Sequence, residues 1–233
     1  MSFKIDLTGI SKLRTYTDDN SVSSLVVSKG CSLKCAYCIN PETWDNSTKT
    51  KKFNAEELYN ELKKYNIYYL ATGGGVIFGG GEPLLHHSFI KEFIEKYKHT
   101  GWKFTLETCL NVKKEYLEEL INLIDFFIVD IKDMDKNRYE LYTKGDYDLF
   151  ISNLKYLLKN VGFDKILLRV PIIPKLHTSN EAEDNCKKLK DMGFKNIEIF
   201  KYIDPEKINK EISNIAKLNK KYFLNYIQSV EKE

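Results

Sequence analysis

Short apolar runs alternate along this chain with longer stretches whose apolar residues recur every three to four positions. Ser21–Ser28 encloses Leu25-Val26-Val27, bounded by turn residues, and reads as a buried strand. Val76-Ile77-Phe78 follows Gly73-Gly74-Gly75 and reads the same way, while Lys103–Thr108 alternates, with Phe104 and Leu106 on one face. Asp125–Ile131, Lys165–Pro171 and Asn196–Phe200 bring the expected strands to six. Between them the pattern predicts a helix opened by Asn54 as N-cap, with Glu57 three residues on, and running to about Tyr65. Further helices are expected over His87–Lys98, around Tyr116–Leu123, at about Leu149–Asn160, and over Asn180–Met192, closed by Gly193. A last, mostly polar helix is expected over 209–230. The first twenty residues show only a short strand or arm at Ile10–Tyr16 and a turn after it.

Strands alternating with helices of this length indicate βαβ units and a parallel sheet, hence an α/β fold. Six units are too few for the closed eight-stranded barrel. No linker, short repeat or low-complexity segment divides the chain, and one domain over 1–233 is expected.

Composition narrows the function classes. A chain of 233 residues with 42% apolar content can bury a sizeable core. Its 36 basic and 33 acidic residues are intermixed, which speaks against a nucleic-acid-binding arm. Met1–Ile10 is too short and polar for a secretory h-region, and no apolar run is long enough to span a membrane. Five cysteines, three of them clustered, make no disulfide framework and suit a reducing cytoplasm.

That cluster is the candidate chemistry. Cys31, Cys35 and Cys38 lie between Gly30 and Asn40 with the spacing C-x3-C-x2-C. Thiolates suit iron–sulfur clusters, zinc or copper(I). A complete four-iron cluster takes four cysteines, so three on one loop would leave a coordination position open for chemistry. A zinc site completed by His86, His87 or Cys109, and incidental core thiols, remain alternatives at this point. The other distinctive residues also fall at the carboxyl ends of expected strands, where α/β folds collect their ligands. They are Gly80, Gly81 and Glu82; Glu107 and Thr108; Asp130 and Lys132; and Arg169. Gly80 and Gly81 would let backbone approach a ligand closely. His86, His87, His99 and His177 show no partner spacing and are expected in loops or at the surface.

The cysteine spacing resembles the signature of the radical SAM enzymes. Over about 22–205 the chain resembles the activating enzymes of glycyl radical enzymes, the pyruvate formate-lyase activase group. The resemblance rests on Gly30 with the cysteine triad, Tyr37-Cys38-Ile39-Asn40, Glu42-Thr43-Trp44, Gly75 through Leu85, and Val129-Asp130-Ile131-Lys132. It implies a partial (βα)6 barrel in which Cys31, Cys35 and Cys38 hold three irons of a [4Fe–4S] cluster. The fourth iron would bind the amino and carboxylate groups of S-adenosylmethionine. One-electron reduction by a flavodoxin or ferredoxin-type donor would then cleave the cofactor to methionine and a 5′-deoxyadenosyl radical that takes a substrate hydrogen. Gly80-Gly81-Glu82 resembles the motif that meets the cofactor's amino group, Tyr37 the aromatic beside the adenine, and Asn40 continues the cluster motif. Glu107-Thr108 and Asp130 occupy the places of residues that help bind a monovalent cation, with Glu for the family's Asp. Lys132 and Arg169 would face the cofactor's carboxylate or ribose oxygens. The implied partner is a glycyl radical enzyme; a small metabolite or ribosomal peptide is the alternative substrate, and a non-catalytic zinc-binding domain the remote one. Two departures are visible: Lys201-Tyr202-Ile203 stands where the family usually has Pro-Tyr-His, and Phe78-Gly79-Gly80-Gly81-Glu82 where Ser-Gly-Gly-Glu is commoner.

Overall fold

Eight strands form one open sheet in the computed structural model, which describes residues 3–15, 21–173 and 178–201. The order is β3-β1-β2-β4-β5-β6-β7-β8. The strands are β1 (Lys4–Arg14), β2 (Ser23–Ser28), β3 (Lys51–Asn54), β4 (Gly75–Gly80), β5 (Lys103–Thr108), β6 (Phe126–Asp130), β7 (Ile166–Ile172) and β8 (Ile197–Lys201). Strands β2, β4, β5, β6 and β7 run parallel, whereas β1 pairs antiparallel with both β2 and β3. The helices are α1 (Ala55–Leu62), α2 (Asn66–Thr72), α3 (His87–Tyr97), α4 (Lys114–Leu120), α5 (Lys136–Thr143), α6 (Tyr147–Asn160) and α7 (Ser179–Asp191). The expected six strands are therefore present as an unclosed α/β sheet, with two antiparallel strands added at one edge. The chain divides into Met1–Phe200 and Lys201–Glu233; of the second, only Lys201 is described. The helix expected over 209–230, Ile203 and His177 lie outside the described residues.

Alternation along the parallel strands separates two environments. Val26, Val76, Phe78, Phe104, Leu106, Phe127, Val129, Leu168 and Val170 join the main core with helix residues such as Leu58, Phe93, Leu117, Leu154 and Leu189. The residues between them, on the opposite face, include Gly79, Thr105, Glu107, Asp130 and Arg169. The helix-covered face is thus apolar, and the opposite face carries these polar side chains toward the strand ends, beside Ile77, Ile128 and Leu167.

Local signals explain the element boundaries. Asn54 caps α1 in a capping box with Glu57, and Thr178 does the same for α7 with Glu181. The helix expected to run to Tyr65 stops at Leu62; a 3-10 turn over Lys63–Tyr65 leads into α2, which ends on Gly73 at φ +72°. Three elements carry no readable hydrophobic pattern. In β1 only Ile5 and Leu7 are buried, and in β3 only Phe53. In α5 the buried stripe is Tyr139, Tyr142 and Thr143, which looks polar in sequence. No helix among the described residues is long and apolar enough to cross a membrane.

Phe93 on α3 ties the helix layer to the sheet. Its ring meets Phe78 (5.8 Å, 80°) and Phe104 (6.2 Å, 86°) edge-on, and lies 5.0 Å from Tyr97. Phe93→Ala is expected to cost about 3–5 kcal/mol, read as a lowered urea midpoint with an unchanged m-value.

Candidate functional site

The cysteine loop leaves the end of β2 and is braced from four directions. The Lys29 amide donates to the Asp6 carbonyl (2.9 Å) and the Gly30 amide to the Thr43 carbonyl (2.6 Å). On the far side, the Lys34 and Ala36 amides donate to the carbonyls of Thr143 and Tyr142 at the end of α5, both at 2.8 Å. The fourth brace is the end of β4, where the Gly81 amide donates to the Ser28 carbonyl (3.1 Å) and the Glu82 amide to the Gly30 carbonyl (2.8 Å). The Asn40 side chain reaches the Gly80 carbonyl at 3.5 Å, and a ring nitrogen of His86 lies 2.6 Å from the Lys29 carbonyl. His86, expected merely in a loop, thus belongs to the bracing. Within the loop Leu33 is buried, Cys31, Cys35 and Cys38 are half-buried, and Ser32, Lys34 and Ala36 face out.

The glycines have a different first reason from the expected one. A Cβ on Gly81 would lie 2.0 Å from the Gly30 carbonyl oxygen and 2.7 Å from that of Ser28. Gly80 sits at φ +87°, and its Cβ would lie 2.4 Å from Val27 Cγ1. Gly80 admits Val27 of β2, and Gly81 admits the backbone at the start of the cysteine loop. Any ligand contact is additional.

Glu82 is fully buried and surrounded by donors. Thr108 Oγ1 donates to its carboxylate (2.7 and 2.9 Å), as do the Cys109 amide (2.8 Å), the Cys109 thiol (2.9 Å) and the Leu84 amide (3.1 Å). A carboxylate has about four lone-pair sites, so this side chain has little capacity left for a further ligand. Burial pushes its carboxyl up from the ordinary value, opposed by the bonds from Cys109 and Thr108. Just beyond, Leu110 turns the chain at φ +58°, with its carbonyl held by Asn153 Nδ2 at 2.9 Å.

Cys109, which the sequence offered only as a possible zinc ligand, is buried between Glu82 and the loop, 3.8 Å from Ser32 Oγ. The neighbouring Cys109 thiol lowers the Cys31 thiol's pKa, against burial. Burial pushes Cys35 up to about 11. Lys132 Nζ lies 3.1 Å from Asp130. Burial works against its charge, but Asp130, with Tyr37 and Cys35 nearby, holds its pKa well above the ordinary lysine value. Tyr37 packs against Tyr142 at 5.4 Å between centroids, and the Tyr142 hydroxyl donates to the Lys132 carbonyl (2.7 Å) and to Asp133 (2.9 Å). Burial raises the Tyr37 phenol strongly and keeps it protonated.

Glu107 is held by two arginines: Arg169 Nη1 lies 3.0 Å from Oε1 and Arg14 Nη1 3.4 Å from Oε2. The three side chains expected to share a monovalent cation therefore point to three different partners: Thr108 to Glu82, Asp130 to Lys132, Glu107 to the arginines. They do not fit a common cation site.

The three half-buried thiols lie on one loop beyond the end of β2, and the donor set is all soft sulfur. Among the described residues no three His, Cys, Asp or Glu side chains surround a point closely enough to hold a single metal ion. The Radical SAM superfamily model matches residues 25–176, which takes in the triad and the ends of β2, β4, β5, β6 and β7. The chain belongs to the radical SAM superfamily. As a radical SAM protein it is an enzyme that uses a [4Fe–4S] cluster and S-adenosylmethionine. It is 32% identical to a pyruvate formate-lyase-activating enzyme of Clostridium pasteurianum over 221 residues, 93% of this chain and 88% of that protein. With the enzyme of that name from Staphylococcus aureus it shares 34% over 128 residues, 52% of this chain and 51% of that one. Among solved structures, Streptococcus suis SuiB bound to S-adenosylmethionine matches with a TM-score of 0.59 at 16% identity, over 86% of this chain and 50% of that one. The structure of TYW1 with a lysine-pyruvate adduct matches with a TM-score of 0.56 at 15% identity, over 78% of this chain and 65% of that one. These two likenesses are of fold alone.

Three soft donors on one braced loop are the ligand type an iron–sulfur cluster takes, and the buried Glu82 node supports the glycine turn that braces that loop. Glu82→Ala would leave the buried amides of Leu84 and Cys109 without acceptors, at about 1–3 kcal/mol each. The expected result is a lower unfolding midpoint and less iron retained after reconstitution, with Glu82→Gln milder on both measures.

Proposed function

We propose that this radical SAM enzyme is an activase that removes an α-hydrogen from a glycine of a partner glycyl radical enzyme. The observation that carries this reading is the 32% identity to a pyruvate formate-lyase-activating enzyme across nearly the whole of both chains. In this reading Cys31, Cys35 and Cys38 hold the cluster, and the main chain of Gly80 and Gly81 meets the methionine end of the cofactor. Lys132, kept charged by Asp130, faces the cofactor's carboxylate. Tyr37 offers an aromatic face beside the cluster for the adenine. Asn40 keeps loop and glycines together, and Glu82, Thr108 and Cys109 hold the floor behind them.

When bound, the cluster and cofactor supply the one-electron cleavage of a sulfonium and a primary-carbon radical able to take hydrogen. The chain's own part is position and exclusion of water. Burial of Glu82 and Thr108 keeps the strand ends dry, and the fixed cysteine loop sets where the reacting carbon lies. No general acid or base is required of these side chains. An acceptor-reducing donor of the flavodoxin or ferredoxin type supplies the electron, and a reducing cytoplasm suits the free thiols.

The test is anaerobic reconstitution with dithionite and S-adenosylmethionine, following 5′-deoxyadenosine. Wild type is expected to form it and Cys35→Ala to lose it. Adding a candidate glycyl radical protein should then produce a glycyl EPR doublet; 5′-deoxyadenosine formed with peptides or metabolites, but never a doublet with any glycyl radical protein, would overturn the activase assignment. Lys132→Ala is expected to weaken cofactor binding about tenfold or more, read by calorimetry with the cluster intact.

A further inference from the structure

The partners of Glu107 point away from the cation that the family resemblance implies. Both carboxylate oxygens already face guanidinium groups, Arg169 at Oε1 and Arg14 at Oε2, and Arg169 Nε also lies 3.7 Å from Glu198 on β8. Thr108 and Asp130 are engaged elsewhere: the Thr108 hydroxyl donates to Glu82 and accepts from the Leu110 amide, and Asp130 pairs with Lys132. Hard cations need several oxygens turned to one point, and an added ion here would also meet two fixed positive charges.

Arg14 arrives from the antiparallel part of the sheet. Arg14 ends β1, opposite Ser23 on β2, while Glu107 lies on β5, so β2 and β4 separate them. The side chains meet across Gly79 of β4. A Cβ there would lie 3.1 Å from Glu107 Cβ, 3.4 Å from Glu107 Oε2 and 3.0 Å from Leu25 Cδ1. Gly79 stands where the resembled family commonly has Ser, and Glu107 where it has Asp. One change clears the path, and the other adds the methylene that lengthens the reach.

We propose that Arg14, together with Arg169, is the fixed positive charge that neutralises Glu107 beside the glycine strand end, so that this enzyme binds S-adenosylmethionine without a monovalent cation. Arg14 is here a positioning residue: it holds Glu107, which in turn borders Gly79 and the Gly80-Gly81 backbone. The inference rests on the reading of these strand ends as the cofactor site.

The experiment is calorimetric titration of the reconstituted enzyme with S-adenosylmethionine, in tetramethylammonium chloride and in NaCl or KCl of equal ionic strength. EPR of the reduced cluster is recorded in parallel. The expected Kd is the same within about twofold in all three salts, with the same cofactor-induced change in the spectrum; a participating cation would tighten binding about tenfold. Tightening by sodium or potassium of that size would overturn the proposal. Absence of binding in every salt would instead overturn the cofactor-site reading, a separate and recognisable result. Arg14→Ala is expected to weaken binding and to acquire a dependence on sodium or potassium, whereas Arg14→Lys keeps the charge and the indifference to salt. Arg14→Ala that binds as wild type in every salt would overturn the role given to Arg14. If that variant does not fold, the wild-type comparison decides.

Discussion

The backbone contact between the loop after β2 and the loop after β4 governs the rest of the site. Two hydrogen bonds, from Gly81 to Ser28 and from Glu82 to Gly30, join them at a separation that no side chain on residue 81 could permit. This contact sets the height of the cysteine loop above the sheet. It also turns the Glu82 side chain away from the loop and down into the protein, where Thr108, Cys109 and Leu84 enclose it. Through Thr108 and Cys109 the end of β5 becomes part of the same support. The cluster loop, the glycine turn and the third strand end are consequently one rigid unit rather than three loops that happen to be near one another.

Charge is arranged at the strand ends as alternating pairs. Lys132 with Asp130 and Glu107 with two arginines leave opposite charges adjacent on neighbouring strands, all of them partly shielded from water. Partly buried ion pairs are costly to break singly, so these groups hold fixed directions toward whatever enters. The polar face is therefore preorganised.

Much of this was legible in the sequence. The parallel strands announced themselves because they are continuous apolar runs, as in Phe126-Phe127-Ile128-Val129, and the cysteine triad needs no fold to be noticed. Helix ends were legible where a cap stands out, as at Asn54 and Gly193. β1 was legible only as a short strand or arm at Ile10–Tyr16, and β3 not at all, because a strand that buries only Ile5 and Leu7, or only Phe53, has no hydrophobic rhythm. The roles within the site were harder still. Glu82 reads as a ligand for an amine until its four donors are counted, and Arg14 lies in a segment with no pattern, two strands away from the residue it holds. Spacing along the chain identifies which residues belong to a site. Which way each one faces depends on neighbours that spacing does not reveal.

The bracing of the cysteine loop also sets a schedule. The loop lies early in the chain, yet two of its braces are the Thr143 and Tyr142 carbonyls at the end of α5, and a third is the turn after β4. As the polypeptide emerges during synthesis, the thiols are exposed long before the partners that fix them exist. The three sulfurs acquire their final arrangement only once the fourth parallel strand and the helix after it have joined the sheet. Assembly of the iron centre is thereby tied to completion of the fold, and the nascent thiols must be kept reduced in the interval.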